Sequence, residues 1–577
     1  MTVDSVTIAL VGSGGAGAMT AGQMLLDAAA NVGWYGLMSR STGPQIRGGE
    51  AAAIVRLSPR PVHGPGDRFD LIVAFDWQNV ERFAAELPLS ERSVILTDPS
   101  QGAVPAVLAA SGARQIELPV KEMAARIPGG RVNMVGLGAV AALIGLPRAG
   151  IDAVIAKALG KKGDAAIQAS AAGIDAGAKE AAGWGLGLEL AAPASDAAEG
   201  ARVRWNISGN EAAGLGALKG GVKFCAAYPI TPATEILEWL APNLARTGGT
   251  LVQAEDELAS ITMCLGASFG GVPSITATAG PGLSLMTEAI GLGVASETPV
   301  VIVDVMRGGP STGIPTKSEQ SDLNIAVYGL HGDAPHLVLG PTSIADCLFT
   351  TQWAVHLAEA LQTPAIVLSD QSMGQSRAIV DQPAEAPFTA RRLLATGLDG
   401  AERYKRYADT ASGISPAAIP GMPGGEHTAD GLEHAENALP SSQSSDHQKQ
   451  LDKRLRKLAG FDFGNHWAEI EGEGELAVIT WGSATGPARE AVQRLAAAGV
   501  KARLVAIRLI TPVQPAKLAA ALEGVTRVLV VEQTHGAQFH KFLRAHYDLP
   551  GAVTVFSRPG PLPIRAREVH ETLLSLI

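Results

Sequence analysis

Apolar and polar positions along the 577 residues fall into three blocks, in which strand-length apolar runs alternate with helix-length segments. In the first, residues 5–12 (SVTIALVG) form an almost unbroken apolar run ending in glycine, the pattern of a strand covered on both faces. A helix over 17–29 should follow, then strands near 34–38, at 70–75 (DLIVAF) and at 93–98 (SVILTD). Residues 150–190 are Ala-rich, with Lys, Asp and Glu recurring at helical spacing, and predict helices that close a domain; 191–203 reads as a linker. The second block has strands at 250–255, 273–278, 299–305, 336–340 and 364–370, and a helix over 233–240. Ser343-Ile344-Ala345-Asp346 is a candidate N-terminal box for a further helix. Residues 395–474 break the alternation, being rich in Pro, Gly, Ser, His and Glu, apart from a short helix with Leu451, Leu455 and Leu458 facing a core. The third block opens with ELAVITWGSATG and has strands in KARLVAIRLI and RVLVVEQ. The prediction is an α/β chain of three-layer, doubly wound domains at 1–190, 204–390 and 475–577, with an extended excursion over 391–474. Ligands then belong at the carboxyl ends of the strands.

Composition narrows the partners. Lys+Arg 46 against Asp+Glu 56 gives a net charge of −10 without a basic stripe, which argues against nucleic acid and against an anionic membrane surface. Three cysteines, Cys225, Cys264 and Cys347, lie far apart and outside any CxxC, so neither a disulfide framework nor a Cys-ligated zinc or iron–sulfur site is expected in this chain. The N-terminal residues carry an acid and no Lys or Arg, unlike a secretory leader, and the longest uncharged apolar run (132–147) is too short to span a bilayer. A cytoplasmic protein is expected.

Several segments carry candidate chemistry. Gly12-Ser13-Gly14-Gly15-Ala16-Gly17 follows a strand and opens a helix, serving either as a phosphate cradle or as a tight turn. No acid for a ribose follows the second strand; Ser39-Arg40 stands there, and Arg40 suits a 2′-phosphate instead. Glu255-Asp256-Glu257 opens a helix, where acids commonly satisfy free N–H groups. Arg307 begins the Gly-rich stretch RGGPSTGIPTKSEQ at a carboxyl strand end, and Tyr228-Pro229-Ile230-Thr231-Pro232 holds a hydroxyl between two prolines. His427, His434 and His447 are not spaced as zinc ligands and read as solvated loop residues.

Together these segments resemble the 2-oxoacid:ferredoxin oxidoreductases, as an α subunit with the γ domain fused at its N-terminus. The resemblance rests on GSGGAGAMTAGQML (12–25), GPQIRGGEAAAIVRLS (43–58), ISGNEAAGLGALKGGVKFCAAYPITPATEILEWLA (207–241), QAEDELAS (253–260), ATAGPGLSLMTEAIGLGVASETPVVIVDVMRGGPSTGIPTKSEQSDL (277–323) and RYADTASGISPAAIPGMPGGEHTADGLEHAENA (406–438). It implies a γ domain at 1–190, a thiamine pyrimidine-binding domain at 204–390 and a transketolase C-terminal-like domain at 475–577. It also implies oxidative decarboxylation of a 2-oxoacid with thiamine diphosphate, transfer of the acyl group to coenzyme A, and passage of electrons through iron–sulfur clusters to ferredoxin. No GDG-type motif for Mg²⁺ and diphosphate is present and no cysteine set for a cluster. The resemblance therefore places the Mg²⁺, the diphosphate site and the [4Fe-4S] cluster on a separate β subunit, in a heterotetramer of two α and two β chains.

By the same resemblance Glu257 contacts the thiamine pyrimidine at N1′, promoting the tautomer in which N4′ accepts the C2 proton. Tyr228 and Pro229 join it at the cofactor, Arg307 and Thr231 hold the substrate's 1-carboxylate, and Gly12, Gly14 and Gly17 lie near CoA. Ala233, Ala279 and Ala417 depart from the commoner family wording and bear on pocket shape. The fused architecture, without a ferredoxin-like domain, points to 2-oxoglutarate oxidised to succinyl-CoA, with Lys317 a candidate for the distal carboxylate. The same chemistry on pyruvate or branched-chain oxoacids is the alternative. An NADP-linked dehydrogenase using Gly12–Gly17 and Arg40, and a noncatalytic partner-binding subunit, are alternatives of other classes; a nicotinamide titration and an activity assay separate them.

Overall fold

The structure is a computed structural model that describes residues 2–43, 49–193, 203–315, 317–398 and 403–577. Most of the expected linker at 191–203 and the start of the 43–58 segment lie outside the described residues. Contacts divide the chain into two compact units, one of residues 1–208 with 375–384 and 562–568, the other of 209–374 with 385–561 and 569–577.

The first unit is built on β1 (Val6–Ser13), β2 (Tyr35–Thr42), β3 (Glu50–Ser58), β4 (Leu71–Ala74), β5 (Val94–Thr97), β6 (Arg114–Glu117) and β7 (Arg204–Ser208). Strands β8 (Phe224–Ala227), β9 (Thr250–Gln253), β10 (Ser274–Thr278), β11 (Val301–Met306), β12 (Leu337–Leu339) and β13 (Ala365–Asp370) follow, then β14 (Arg377–Asp381). The last group is β15 (Ala468–Gly472), β16 (Leu476–Thr480), β17 (Ala502–Ile507), β18 (Leu509–Thr511), β19 (Arg527–Glu532) and β20 (Ala552–Ser557).

The first sheet has the order β6-β5-β4-β1-β3-β2-β14-β7. Only its β1, β4, β5 and β6 run parallel; β3, β2, β14 and β7 pair antiparallel. Alternation along β1 feeds two cores: Val6, Ile8 and Leu10 pack with the helix Ala18–Asn31, while Ala9 and Val11 pack on the opposite face with Phe69 and Phe83. The helices Val132–Ile144 and Asp164–Ala181 close this unit. Each approaches the other through glycine: a Cβ on Gly138 would stand 2.1 Å from the Ile174 carbonyl oxygen, and one on Gly177 1.9 Å from that of Val135.

The second unit holds two sheets, β18-β12-β13-β11-β10-β8-β9 and β15-β17-β16-β19-β20. They are parallel except for the pairs β12–β18 and β15–β17. Strand β18 comes from the third block yet completes the middle sheet. The helix Asp346–Leu361 starts with the Asp346 N–H on Ser343 Oγ at 3.1 Å, while the Asp346 carboxylate accepts from the N–H of Thr342, one residue before the position of a capping box.

Two expectations for the excursion are corrected. Its helix runs Ser444–Ala459, and Leu455 is exposed; the buried face is Gln450, Lys453, Arg454, Lys457 and Leu458. Lys453 and Lys457 meet Glu297, and Arg406 donates to the Glu297 carbonyl at 2.9 Å while Lys457 donates to that of Gln362 at 2.9 Å. Gln362 is the C-cap of the helix Asp346–Leu361 and Glu297 lies just past the end of the helix Gly280–Ala295, so both helix dipoles favour cations there. His434 is buried rather than solvated: its ring stacks on Tyr407 with centroids 4.8 Å apart, 3.2 Å from the Asp430 carboxylate.

Candidate active site

The middle sheet brings the family-motif residues to the carboxyl ends of β8, β9, β10 and β11. After β8, residues 228–232 turn into the helix Thr234–Arg246, with the N–H groups of Ala233 and Thr234 on the Ile230 carbonyl. Asn210, fully buried, donates to the Pro232 carbonyl at 2.9 Å and pins this turn. Tyr228 is exposed and Pro229 half-buried. Thr231 is exposed, and its carbonyl accepts a hydrogen bond from Arg307 Nη1 at 3.0 Å. Thr231 and Arg307, 76 residues apart in sequence, are thus in direct contact.

The three acids after β9 part company. Asp256 is the N-cap of the helix Glu257–Phe269, its Oδ1 accepting from the N–H of Ala259 at 2.7 Å. Glu255 is exposed, whereas Glu257 is only 6% exposed and has no share in the cap. Its carboxyl lies against Gly282, where a Cβ would stand 2.7 Å from Glu257 Oε1 and 2.0 Å from Thr278 Oγ1. Glycine there lets the Glu257 carboxyl and the Thr278 hydroxyl close over the backbone, where any side chain would collide with both.

Arg307 leaves β11 into residues 307–322. Burial lowers the pKa of its guanidinium, the charge of Asp322 opposing it, and Arg307 Nε has no hydrogen-bond partner among the described residues. Lys317 is half-buried, its carbonyl accepting from the N–H of Gly308 at 2.9 Å. The loop is stitched to the last sheet through Gln320, which is fully buried. Gln320 Nε2 donates to the Trp481 carbonyl at 2.9 Å, and its N–H and Oε1 pair with the backbone of Gln533.

Sequence reasoning missed Asp304 and Asp322. Asp304 is fully buried in β11, where burial and then the neighbouring Asp322 carboxyl hold its pKa well above the ordinary carboxylate range. Burial likewise pushes Asp322 up to about 7, while the Arg307 charge pulls it down. The Asp322 carboxyl covers Gly280, whose Cβ would stand 2.7 Å from Oδ2, so the turn 278–282 separates Glu257 from Asp322. The signal was a lone acid inside the apolar run PVVIVDV.

In the first unit the Gly12–Gly17 loop borders a cavity of about 350 Å³ lined by Ser13, Gly14, Gly15, Gly17 and Glu50 among others. Part of the cradle is already engaged: the N–H groups of Ser13, Gly14 and Ala16 bond Asp76 Oδ2, the Gly49 carbonyl and the Ser13 carbonyl. Arg40 lies within β2 and lines a neighbouring cavity of about 410 Å³ with Asp27 and Arg377. Strand β2 pairs with β3 and β14 rather than lying parallel beside β1, so the dinucleotide-fold arrangement behind the NADP reading is not formed.

A doubly wound α/β sheet that sets a buried glutamate, free of the helix cap, at its strand ends is matched in the comparisons by thiamine diphosphate-binding proteins. Residues 7–180 match the family model described as pyruvate ferredoxin/flavodoxin oxidoreductase. Residues 215–453 match its thiamine diphosphate-binding domain, and 465–538 the transketolase C-terminal domain. The chain is 38% identical over 355 residues to the 2-oxoglutarate oxidoreductase subunit KorA of Mycobacterium tuberculosis, a match spanning 59% of this chain and 53% of that one. It is 30% identical over 614 residues to the 2-oxoacid:ferredoxin oxidoreductase 2 subunit alpha of Aeropyrum pernix, covering 94% of this chain and 93% of that one. The 2-oxoglutarate:ferredoxin oxidoreductase of Magnetococcus marinus, solved with 2-oxoglutarate, coenzyme A and succinyl-CoA bound, superposes with a TM-score of 0.90 at 35% identity over 99% of both chains. The chain belongs to the 2-oxoacid:ferredoxin oxidoreductases, as an α subunit with a fused γ domain and hence one chain of a multi-subunit assembly.

Proposed function

We propose that this chain is the α subunit of a 2-oxoglutarate:ferredoxin oxidoreductase, which oxidises 2-oxoglutarate with CoA to succinyl-CoA and CO₂. The observation that carries the substrate is the likeness along 99% of the chain to the Magnetococcus marinus enzyme solved with that oxoacid. A β subunit bearing the diphosphate site, Mg²⁺ and a [4Fe-4S] cluster completes the enzyme, as two α and two β chains, and passes electrons to ferredoxin. Leu258, Met263 and Leu285 support docking beside the cofactor, being exposed apolar residues on the two helices that flank Glu257. Three buried free cysteines suit the reducing cytoplasm.

Thiamine, when bound, supplies the electron sink for loss of CO₂. Glu257 suits the ring end of that cofactor: it is buried, its carboxyl is not used as a cap, and it lies against Gly282 at the strand ends. It holds and moves a proton at N1′, with Tyr228 and Pro229 bordering the ring. Arg307 grips the 1-carboxylate, with the Thr231 hydroxyl beside it, since the hydrogen bond from Arg307 to the Thr231 carbonyl joins the ends of β11 and β8. Lys317 meets the distal carboxylate. Gly14 and Gly17 border the CoA phosphates, which the cavity they line at the start of the helix Ala18–Asn31 suits, and Gly12 leads into that loop from β1.

The test is co-production with the β-type subunit and a panel of 2-oxoacids with CoA and an artificial electron acceptor. The expected result is CoA-dependent acceptor reduction with 2-oxoglutarate the best substrate. A clear preference for pyruvate or a branched-chain oxoacid would overturn the substrate assignment.

A further inference from the structure

We propose that Asp304 and Asp322 form a proton-exchanging counter-ion pair for Arg307, taking up a proton from solvent as the substrate carboxylate docks on the guanidinium. This rests on the reading of Arg307 as the carboxylate-binding residue. Both Asp304 carboxyl oxygens and Asp322 Oδ2 are buried and lack a hydrogen-bond partner among the described residues, and the two carboxyls are near enough for each to act on the other's ionisation. Two buried neighbouring carboxyls without donors resist being ionised together, so near neutrality they hold one proton and carry one negative charge.

The cation acting on Asp322 is Arg307, whose Nε is unpartnered and whose Nη1 is given to Thr231. The other charge facing the pair is Glu319, which itself feels His535 and accepts from the N–H of Gly560; Glu257 lies beyond the turn 278–282. In the free site the one net negative charge on the pair answers Arg307, and Glu319 adds a further acid whose own pKa burial raises. An incoming carboxylate adds a second negative charge. That charge raises the proton affinity of Asp322, which is pushed up to about 7 even without it. Protonation of Asp322 then leaves Arg307 to the substrate. By linkage, affinity for the carboxylate must fall as pH rises above the pair's titration, by up to about tenfold per pH unit if one proton is taken up.

The experiment measures inhibition by the unreactive 2-hydroxy analogue of the oxoacid, on the α–β holoenzyme, from about pH 6 to pH 9. In the wild type, binding should weaken progressively towards alkaline pH. Asp322→Asn removes the titrating charge and should bind tightly with a flat profile. Asp304→Asn donates a permanent hydrogen bond to an ionised Asp322 and should bind weakly, also with a flat profile. Both changes are nearly isosteric, and a merely structural role would weaken both variants alike without flattening either. Retention of the wild-type slope in both variants would overturn the proposal. The Arg307 reading fails separately: Arg307→Ala would then leave the inhibition constant unchanged.

Discussion

Glu255, Asp256 and Glu257 show how three adjacent acids divide their work. Asp256 supplies the cap, Glu255 remains in solvent, and Glu257 is buried with its carboxyl beside Gly282. Glu257→Gln keeps size and packing but cannot exchange a proton at N1′. In the holoenzyme it should therefore lower deuterium exchange at C2 of the cofactor and oxidative decarboxylation together, by about 10²–10⁴-fold. Near-normal exchange would return Glu257 to a packing role, and Glu255→Gln serves as control because its side chain is exposed to solvent. Arg307 carries a different prediction, since every 2-oxoacid has a 1-carboxylate. Arg307→Lys keeps the charge and loses the planar fork, and Arg307→Ala loses both. Specificity constants for all accepted oxoacids should fall by at least about tenfold in Arg307→Ala, equivalent to about 1.4 kcal/mol or more. A loss confined to one oxoacid would move Arg307 to the distal end of the pocket.

At the level of elements, parallel strands were legible because a strand buried on both faces is an unbroken apolar run; β1, β11, β13, β16 and β19 all appear where that pattern placed them. The helix Ser444–Ala459 was legible as a helix but not in orientation. Its period suggested an apolar Leu451–Leu455–Leu458 stripe, whereas it turns Lys453 and Lys457 inward, because the Glu297 carboxylate receives both and the Gln362 carbonyl, at the end of the helix Asp346–Leu361, receives Lys457. Those partners lie about 100 to 160 residues away along the chain, beyond the reach of a periodicity argument. Burial opposes the ionisation of Glu297, but Lys457, Lys453 and Arg406 together hold its pKa down to about 2. Glu297→Gln leaves three buried cations without their carboxylate and should cost about 3–5 kcal/mol at neutral pH. The sign of the pH dependence follows from the lowered pKa. The contribution is complete above the ordinary carboxylate range and is lost as pH falls towards 2, so the gap between wild type and variant should close in acid. Thermal melts of both proteins across acid pH, with limited proteolysis of residues 403–459, measure it; a gap unchanged in acid would assign the loss to packing.

Over the whole molecule, the strands that join distant segments were the part hidden from sequence. Strands β7 and β14 complete the first sheet although they flank the pyrimidine-type segment, and β18 crosses from the third block into the middle sheet. Edge pairings of this kind depend on which strand end is left unpaired in space, not on local pattern. The same whole-chain view bears on what the chain holds by itself. Its three cysteines are all buried, and burial pushes their thiols up, Cys264 to about 12, so they are poor metal ligands in the folded state. Residues 215–453 match a thiamine diphosphate-binding domain, while no GDG motif for a Mg²⁺-bound diphosphate is present in the sequence. Purified without its partner, the chain should therefore be colourless, contain no stoichiometric iron and bind thiamine diphosphate weakly. Metal analysis, the visible spectrum and calorimetric titration with thiamine diphosphate and Mg²⁺ check each point. Addition of the β-type subunit should restore tight cofactor binding and the brown iron–sulfur absorption together. A brown isolated chain would show that this polypeptide ligates a cluster itself, and would require a different division of the active site between subunits.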